Sequence, residues 1–149
     1  MKTTEIHMKP ETLRAFTGHW GIVGRNLEGA GKDSEVEVVG TETFQWLAGD
    51  FFLQGNWNHD FGKATHSGTS IIGFDVDSET LVSHNFDNLG FSRRYELDTD
   101  GLSWKFTGET ERAIRTFSRD GESFDEKWEV NRGGKWKPLC ELHGKKTGI

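Results

Sequence analysis

Residues 40–57 read GTETFQWLAGDFFLQGNW, and they predict a β-hairpin with a tight turn at Ala48-Gly49. In each arm large apolar residues alternate with polar ones, which is the period of an extended strand. Pairing across this turn places four large apolar side chains on one face. They are Phe44, Trp46, Phe51 and Leu53. We therefore expect this face to be buried.

Glu42 belongs to the same face, because it lies two residues from Phe44 along the first arm. The pattern thus predicts a carboxylate that points into the apolar side of the sheet. A buried charge is costly unless it meets a partner or a ligand, so Glu42 is a candidate functional residue.

The rest of the chain repeats this design. About ten segments of roughly seven residues, separated by turn signals, predict an all-β protein with an up-and-down antiparallel sheet. An open sheet of that size exposes two long edges, so we expect a lipocalin-like closed barrel, with a β-sandwich as the alternative. Pro10, Leu13 and Phe16 predict a short helix over residues 10–17. Loops are expected at Gly29-Ala30-Gly31 and at residues 59–62.

Composition limits the classes of function. The 149 residues fit one domain, residues 1–149, whose core relies on 11 Phe and 6 Trp. A net charge of -6, with Lys145-Lys146 as the basic cluster, argues against nucleic-acid or membrane binding. One cysteine, Cys140, excludes an internal disulfide, and no signal-peptide pattern begins the sequence. We expect a cytoplasmic monomer or homodimer whose partner is a small molecule.

Two resemblances support the barrel. The tripeptide Gly18-His19-Trp20 is similar to the Gly-x-Trp that opens the first lipocalin strand, where the Trp closes the base of the barrel. A longer ordered set reads GTETFQWL at 40–47, IGFD at 72–75, HNFDNLG at 84–90, TFSRDG at 116–121 and Trp128-Glu129. This set resembles the bacterial domain-of-unknown-function family 1579, a lipocalin-like barrel. The resemblance implies a fold but no reaction and no catalytic residues.

Polar residues that interrupt apolar strand faces define a candidate ligand cavity. They are Glu42, His84, Arg93, Arg115 and Glu126, with Tyr95 beside Arg93. If all these faces point inward, the lumen binds a small amphipathic or aromatic molecule. A one-residue slip of any strand would turn its face outward instead.

The two arginines and the tyrosine favour an acidic ligand. Arg93 and Tyr95 lie on one strand face, and Arg115 could reach them from two strands further on. This resembles the Arg, Arg and Tyr group with which fatty-acid-binding barrels hold a carboxylate. Internal pairs, Arg93 with Glu42 or Arg115 with Glu126, are the alternative. Trp20 is expected to line the base of the same lumen.

Catalysis is a second possibility. His84 is the candidate acid or base, because an imidazole changes charge near neutral pH. With Asp87 or Glu42 it could serve a cofactor-independent isomerase, lyase or cyclase, so the sequence leaves open whether the chain is an enzyme.

We expect no metal and no cofactor. Cys140 and His143 are three apart on a strand and so face opposite ways, and His59 with His66 lacks a third ligand. Haem stays a further alternative, because nitrobindin barrels, which are similar in architecture, hold haem through a histidine near the C-terminal end. Here that residue would be His143.

Overall fold

The structure, a computed structural model, describes residues 9–27 and 36–148, which form a closed barrel of antiparallel strands after a short helix. The helix spans Glu11–Phe16, and the strands are β1 (Gly18–Asn26), β2 (Val36–Trp46), β3 (Phe52–Asp60), β4 (Thr65–Asp75), β5 (Thr80–Asp87), β6 (Ser92–Thr99), β7 (Ser103–Thr107), β8 (Glu111–Phe117), β9 (Ser123–Arg132) and β10 (Lys135–Gly148). The predicted up-and-down barrel of about ten strands with a short helix is confirmed. The predicted loop at Gly29-Ala30-Gly31 lies outside the described residues.

The barrel closes through β1, which pairs with two strands at once. Along one side it pairs with its sequence neighbour β2, and along the other with the distant β10. Each of the strands β2 to β9 pairs with the strands before and after it in the chain. The sheet therefore has no free edge, which is the property that favoured a barrel over an open sheet.

The register of the β2–β3 hairpin differs from the prediction by two residues. Trp46 pairs with Leu53 rather than with Phe51. The turn closes where the Asp50 N–H donates to the Leu47 carbonyl, and Gly49 and Asp50 adopt positive φ angles of 95° and 62°. The placement of Phe51 in the paired strand is therefore wrong. The inward face survives, because a shift of two residues keeps every side chain on its side of the sheet.

The next turn also differs from the prediction. Residues 59–62 do not form it, because β3 continues to Asp60 and His59 pairs directly with His66 at the start of β4. The Asp60 carboxylate accepts the Gly62 N–H at 2.7 Å, and Gly62 takes a positive φ of 88°. These contacts place the reversal of the chain about two residues after the predicted turn. His59 is therefore a strand residue that faces the lumen.

One end of the barrel, the base, is filled by aromatic rings. Phe16 of the short helix is fully buried and meets the rings of Trp104 and Phe117 edge to face at 5.0 and 5.1 Å. The Trp20 indole lies beside them and donates its N–H to the Phe16 carbonyl at 2.9 Å. The helix thus closes the base. Among the described residues no helix has the length and apolar character needed to cross a membrane.

Glycines on the inner face make room for these rings. A Cβ at Gly144 would collide with the ring of Phe124, and a Cβ at Gly55 would collide with the ring of Phe44. Each ring therefore lies flat against the backbone of a neighbouring strand. This close approach lets a lumen of limited width hold many large side chains.

Truncation of Phe16, whose ring fills the base of the barrel, should cost much of the stability of the protein. Phe16→Ala is expected to lower the free energy of unfolding by about 3–5 kcal/mol, because it leaves a cavity among rigid rings. Phe86→Ala is the control, since Phe86 is 50% exposed on the outer face of β5 and should cost less than about 1 kcal/mol. Urea denaturation measures the free energy of unfolding of both variants. Equal losses would contradict the role of Phe16 in filling the base.

Candidate functional site

A chain of buried charged groups crosses the lumen above the aromatic base. Arg115 on β8 donates from Nε to Glu126 on β9 at 2.6 Å and from Nη2 to Glu42 on β2 at 2.8 Å. The second oxygen of Glu42 meets Nε2 of His59 on β3 at 2.9 Å. All four residues are at least nine-tenths buried. We call Glu42, His59, Arg115 and Glu126 the charged crossbar.

The crossbar separates the base from the open end. Below it, the Arg115 guanidinium carbon lies 3.8 Å from the ring centroid of Phe124, with the rings of Phe16 and Phe44 also within 6 Å. Above it, the second oxygen of Glu126 accepts the Trp128 indole N–H at 2.8 Å. We call the other end of the lumen, above the crossbar, the mouth. The crossbar therefore forms the floor of the mouth.

The protonation state of Glu42 follows from its neighbours. Burial raises the pKa of this carboxyl, but the charge of Arg115 and the hydrogen bond with His59 outweigh burial and bring the pKa down to about 2. Glu42 is thus ionised at neutral pH and accepts the N–H of His59 Nε2. Nδ1 of His59 makes no hydrogen bond to any described residue.

Two aromatic pairs form the walls of the mouth. On one side the rings of Trp57 and His66 lie 5.5 Å apart, and on the other those of Tyr95 and Trp128 lie 5.4 Å apart. Strands β4 and β9, which carry His66 and Trp128, are diametrically opposite, with four strands between them either way round. We call this space, lined by the four rings above the crossbar, the mouth compartment.

His66 is held rigidly in its wall. The Trp57 indole donates to its Nδ1 at 3.3 Å, so Nε2 carries the proton and donates to Asp87 at 3.1 Å. Trp57 in turn lies over Gly68, where a Cβ would collide with the indole. The wall is therefore fixed by two hydrogen bonds and one close backbone contact.

The concavities of the described surface lie away from the mouth compartment. Two surface concavities of about 350 and 440 Å³ lie elsewhere, one beside the end of the helix and one on the outside of β1 and β2. The four wall residues are buried or half-buried by one another. Neither concavity coincides with the predicted ligand cavity in the lumen.

The structure does not assemble the predicted carboxylate-binding group. Tyr95 donates its hydroxyl to Glu111 at 3.0 Å, and Arg93 lies 3.7 Å from the same carboxylate. Arg115 is held by the crossbar instead, so the alternative pairing of Arg115 with Glu126 is the one observed. Glu42, Tyr95, Arg115 and Glu126 all face the lumen as the pattern indicated, but each already has an internal partner.

The predicted inward orientation of His84 is wrong. Its strand neighbours Ser83 and Asn85 share a hydrogen bond on the lumen side, so His84 lies between them on the outer face and is exposed. His143 is the residue that the further alternative, a haem-binding barrel, would use. It is exposed on β10 and pairs with Asp125 at 2.9 Å.

Trp20 lies below the crossbar. It is 1% exposed among the rings of Phe117 and Phe124, so it closes the base and does not line the mouth compartment. Cys140 faces the lumen, where burial and the charge of Glu126 raise the pKa of its thiol. Among the described residues no group of three or more His, Cys, Asp or Glu side chains is arranged to hold a metal ion.

Sequence reasoning missed four residues of the site: Trp57, His59, Glu111 and Trp128. Trp57 and His59 lie four and six residues after Leu53 on β3, so continuing the alternation of that strand to His59 would have placed both side chains inside. Glu111 carried no such signal, because it begins its strand directly after the turn. Trp128 had been placed on the same face as Glu126 but was given no role.

Comparisons with known proteins support the fold. A family model described as a protein of unknown function (DUF1579) matches residues 5–144. The crystal structure of Rv2717c from M. tuberculosis is similar with a TM-score of 0.66 and 12% identity, covering 94% of this chain and 99% of that one. The S-type phycobiliprotein lyase CPES from Guillardia theta is similar with a TM-score of 0.60 and 10% identity, covering 96% and 95%. No protein of curated function matches this chain.

Removing the cation of the crossbar should be far more costly than removing a surface one. Arg115→Met leaves two buried carboxylates facing each other and is expected to lower the free energy of unfolding by about 3–5 kcal/mol. Arg112→Met on the same strand is the control, because Arg112 pairs with half-exposed Glu129 and should cost less than about 1 kcal/mol. Chemical denaturation tests this. Adding Glu42→Gln and Glu126→Gln to Arg115→Met should recover part of the loss.

Acid should weaken the crossbar in a defined range. The pKa of Glu42 is lower in the folded protein than its ordinary value of 4.5, so its contribution is complete above that value and is lost as the pH falls towards about 2. The stability advantage of the natural protein over Glu42→Gln should therefore be constant above about pH 5 and shrink below it. Denaturation curves at several pH values measure the difference. A constant difference down to pH 2 would contradict the ionised Glu42.

Proposed function

The chain belongs to the DUF1579 family, and from the geometry of its barrel we propose that it binds a small aromatic, amphipathic molecule in the mouth compartment. The single observation that carries this is the presence of two aromatic pairs in the lumen, Trp57 with His66 and Tyr95 with Trp128, whose members His66 and Trp128 stand on opposite strands. Ligand sites in barrels commonly lie at the mouth and combine apolar walls with a few placed polar groups.

The contrast between the two ends of the lumen supports this location. Rings at the base, such as Phe16 and Trp104, are fully buried, and the helix covers them. Among the described residues no helix covers the rings at the mouth, and Trp57 and Trp128 are half-buried. A flat ring inserted between them would bury the remaining faces, and aromatic contacts of this kind contribute about 0.5–1.5 kcal/mol each beyond area burial.

The structural neighbours agree with this proposal only at the level of fold. One of them is named a phycobiliprotein lyase, so a barrel of this shape can carry an activity. At 10% identity the likeness transfers no substrate and no residue role to this chain. The assignment of the ligand site therefore depends on the side chains themselves.

An acid–base reaction is the second candidate, and His59 rather than His84 is the residue that favours it. Its imidazole is oriented by the ionised Glu42, as in carboxylate–histidine pairs that move protons. Its Nδ1 is the atom left to exchange a proton with a bound molecule. This arrangement would serve an isomerase or lyase, the reaction types that need no cofactor.

Filling the mouth compartment should change tryptophan fluorescence and depend on Trp128. N-phenylnaphthylamine, a neutral aromatic probe, is expected to quench the intrinsic fluorescence, and Trp128→Leu should weaken its binding by about tenfold, since one aromatic wall is lost. Trp136→Leu is the matched control, because Trp136 stacks against Arg112 on the outer face at 4.1 Å. Circular dichroism verifies that both variants fold. Equal weakening by both variants would place the probe outside the lumen.

A further inference from the structure

The inner wall between the two aromatic pairs carries small polar side chains without charge. Strand β5 lies between β4, which carries His66, and β6, which carries Tyr95. Its inward side chains Ser83 and Asn85 therefore stand between the two aromatic walls. On β4 the residue paired with Asn85 is Ser70, which faces inward as well. We call Ser70, Ser83 and Asn85 the neutral wall.

The side-chain amide of Asn85 is held in one orientation by its neighbour. The Ser83 hydroxyl donates to Asn85 Oδ1 at 2.6 Å, and Ser83 itself is 1% exposed. A carboxamide has an acceptor oxygen and a donor nitrogen, so this contact engages the oxygen and leaves the nitrogen, Nδ2, for another partner. No described residue accepts a hydrogen bond from Nδ2. The amide is therefore an oriented donor without an acceptor.

The lumen gives access to the neutral wall. Among the described residues the fully enclosed side-chain nitrogens and oxygens without a partner are Trp46 Nε1, Trp104 Nε1 and Arg115 Nη1. Asn85 Nδ2 and Ser70 Oγ also lack a partner in the described part of the chain but are not enclosed, so each keeps surface that water can touch. Both side chains point inward, Asn85 half-buried and Ser70 7% exposed. The lumen beside them therefore has room for a polar atom.

A donor of this kind favours a ligand that carries an acceptor. A ligand that covers the amide nitrogen without accepting from it leaves a desolvated donor, which is costly. A carbonyl oxygen restores the bond, and the Ser70 hydroxyl on the adjacent strand is a second donor of the same neutral type. Arg93, the neighbour of Asn85 on β6, is already engaged by Thr110 and Glu111. The acceptor therefore meets neutral donors.

Resting on the proposed ligand site, we propose that the ligand is an aromatic carbonyl compound and that Asn85 is the residue that selects it. The ring of the ligand lies against the aromatic walls, and its carbonyl oxygen accepts from Asn85 Nδ2. A hydrocarbon of the same shape covers the amide without bonding to it. Asn85 thus determines specificity within the mouth compartment, whereas the rings supply most of the contact area.

Two neutral probes of the same shape test this selectivity. Acetylnaphthalene carries a carbonyl oxygen where isopropenylnaphthalene, substituted at the same ring position, carries a methylene group. Both are expected to displace N-phenylnaphthylamine, whose fluorescence reports their dissociation constants. Asn85→Leu should weaken acetylnaphthalene by about threefold to tenfold, because one hydrogen bond is lost, and should change isopropenylnaphthalene by less than about twofold.

Asn56→Leu is the matched control. Asn56 is exposed on the outer face of β3, and its amide oxygen likewise accepts a hydroxyl, that of Thr69, at 2.9 Å. This substitution removes the same groups outside the lumen, so it should change neither probe. Asn85→Asp keeps the shape of the side chain but has no amide donor, and should weaken acetylnaphthalene at least as much as Asn85→Leu. Circular dichroism verifies that all three variants fold.

The outcomes separate the two proposals. If Asn85→Leu and Asn85→Asp weaken the two probes equally, or leave acetylnaphthalene unchanged, the carbonyl selectivity is overturned. The aromatic site stands in that case if N-phenylnaphthylamine still binds and still responds to Trp128→Leu. If N-phenylnaphthylamine and both naphthalene probes fail to bind the natural protein, the site and its selectivity are both overturned.

Discussion

The guanidinium of Arg115 is the constraint on which the interior of this barrel depends. It sits between Glu42 and Glu126, on strands that are not neighbours, and so ties opposite sides of the sheet together across the lumen. Burying such a triad is expensive, and an apolar replacement of the same volume is often at least as stable. Stability alone therefore does not account for it. What the triad provides that apolar residues could not is a fixed polar floor in the middle of an otherwise aromatic lumen.

That floor divides the barrel into halves with different properties. Below it, rings from the helix and from β1, β7, β8 and β9 interlock at close distances, and the helix excludes water. Above it, rings of the same kind remain partly exposed and are anchored by hydrogen bonds to Asp87 and Glu126. One half is built as a core, and the other is the half in which we propose the ligand site.

The sequence was sufficient for the fold because its period-two alternation is strong in most strands. It also oriented Glu42, Arg115 and Glu126 correctly, since each has at least one large apolar neighbour two residues away on the same strand face. The orientation of His84 was predicted wrongly because β5 has apolar residues on both faces. The alternation along this strand therefore does not show which face points into the lumen. Val82 is buried although it faces outward, whereas Phe86 faces outward and is half-exposed.

The sequence could not predict which side chains form ion pairs across the lumen. The sequence suggested Arg93 for Glu42 and Arg115 for Glu126, whereas Arg115 binds both carboxylates, because the tilt of the strands decides which side chains meet across the lumen. The histidines of the mouth were misplaced for a related reason. A turn that moves by two residues converts a loop histidine into His59, a member of the crossbar.

Closure of the barrel between β1 and β10 has a consequence for how the chain reaches this structure. Trp20 pairs with Lys146, so the seam joins segments separated by nearly the entire described chain, whereas every other pairing is between sequence neighbours. Neighbouring hairpins form quickly, but a contact of such long sequence separation must wait for a large loop to close. Until then two strand edges stay open to other chains. The seam is thus where folding is slowest and where a folding intermediate is most prone to associate with copies of itself.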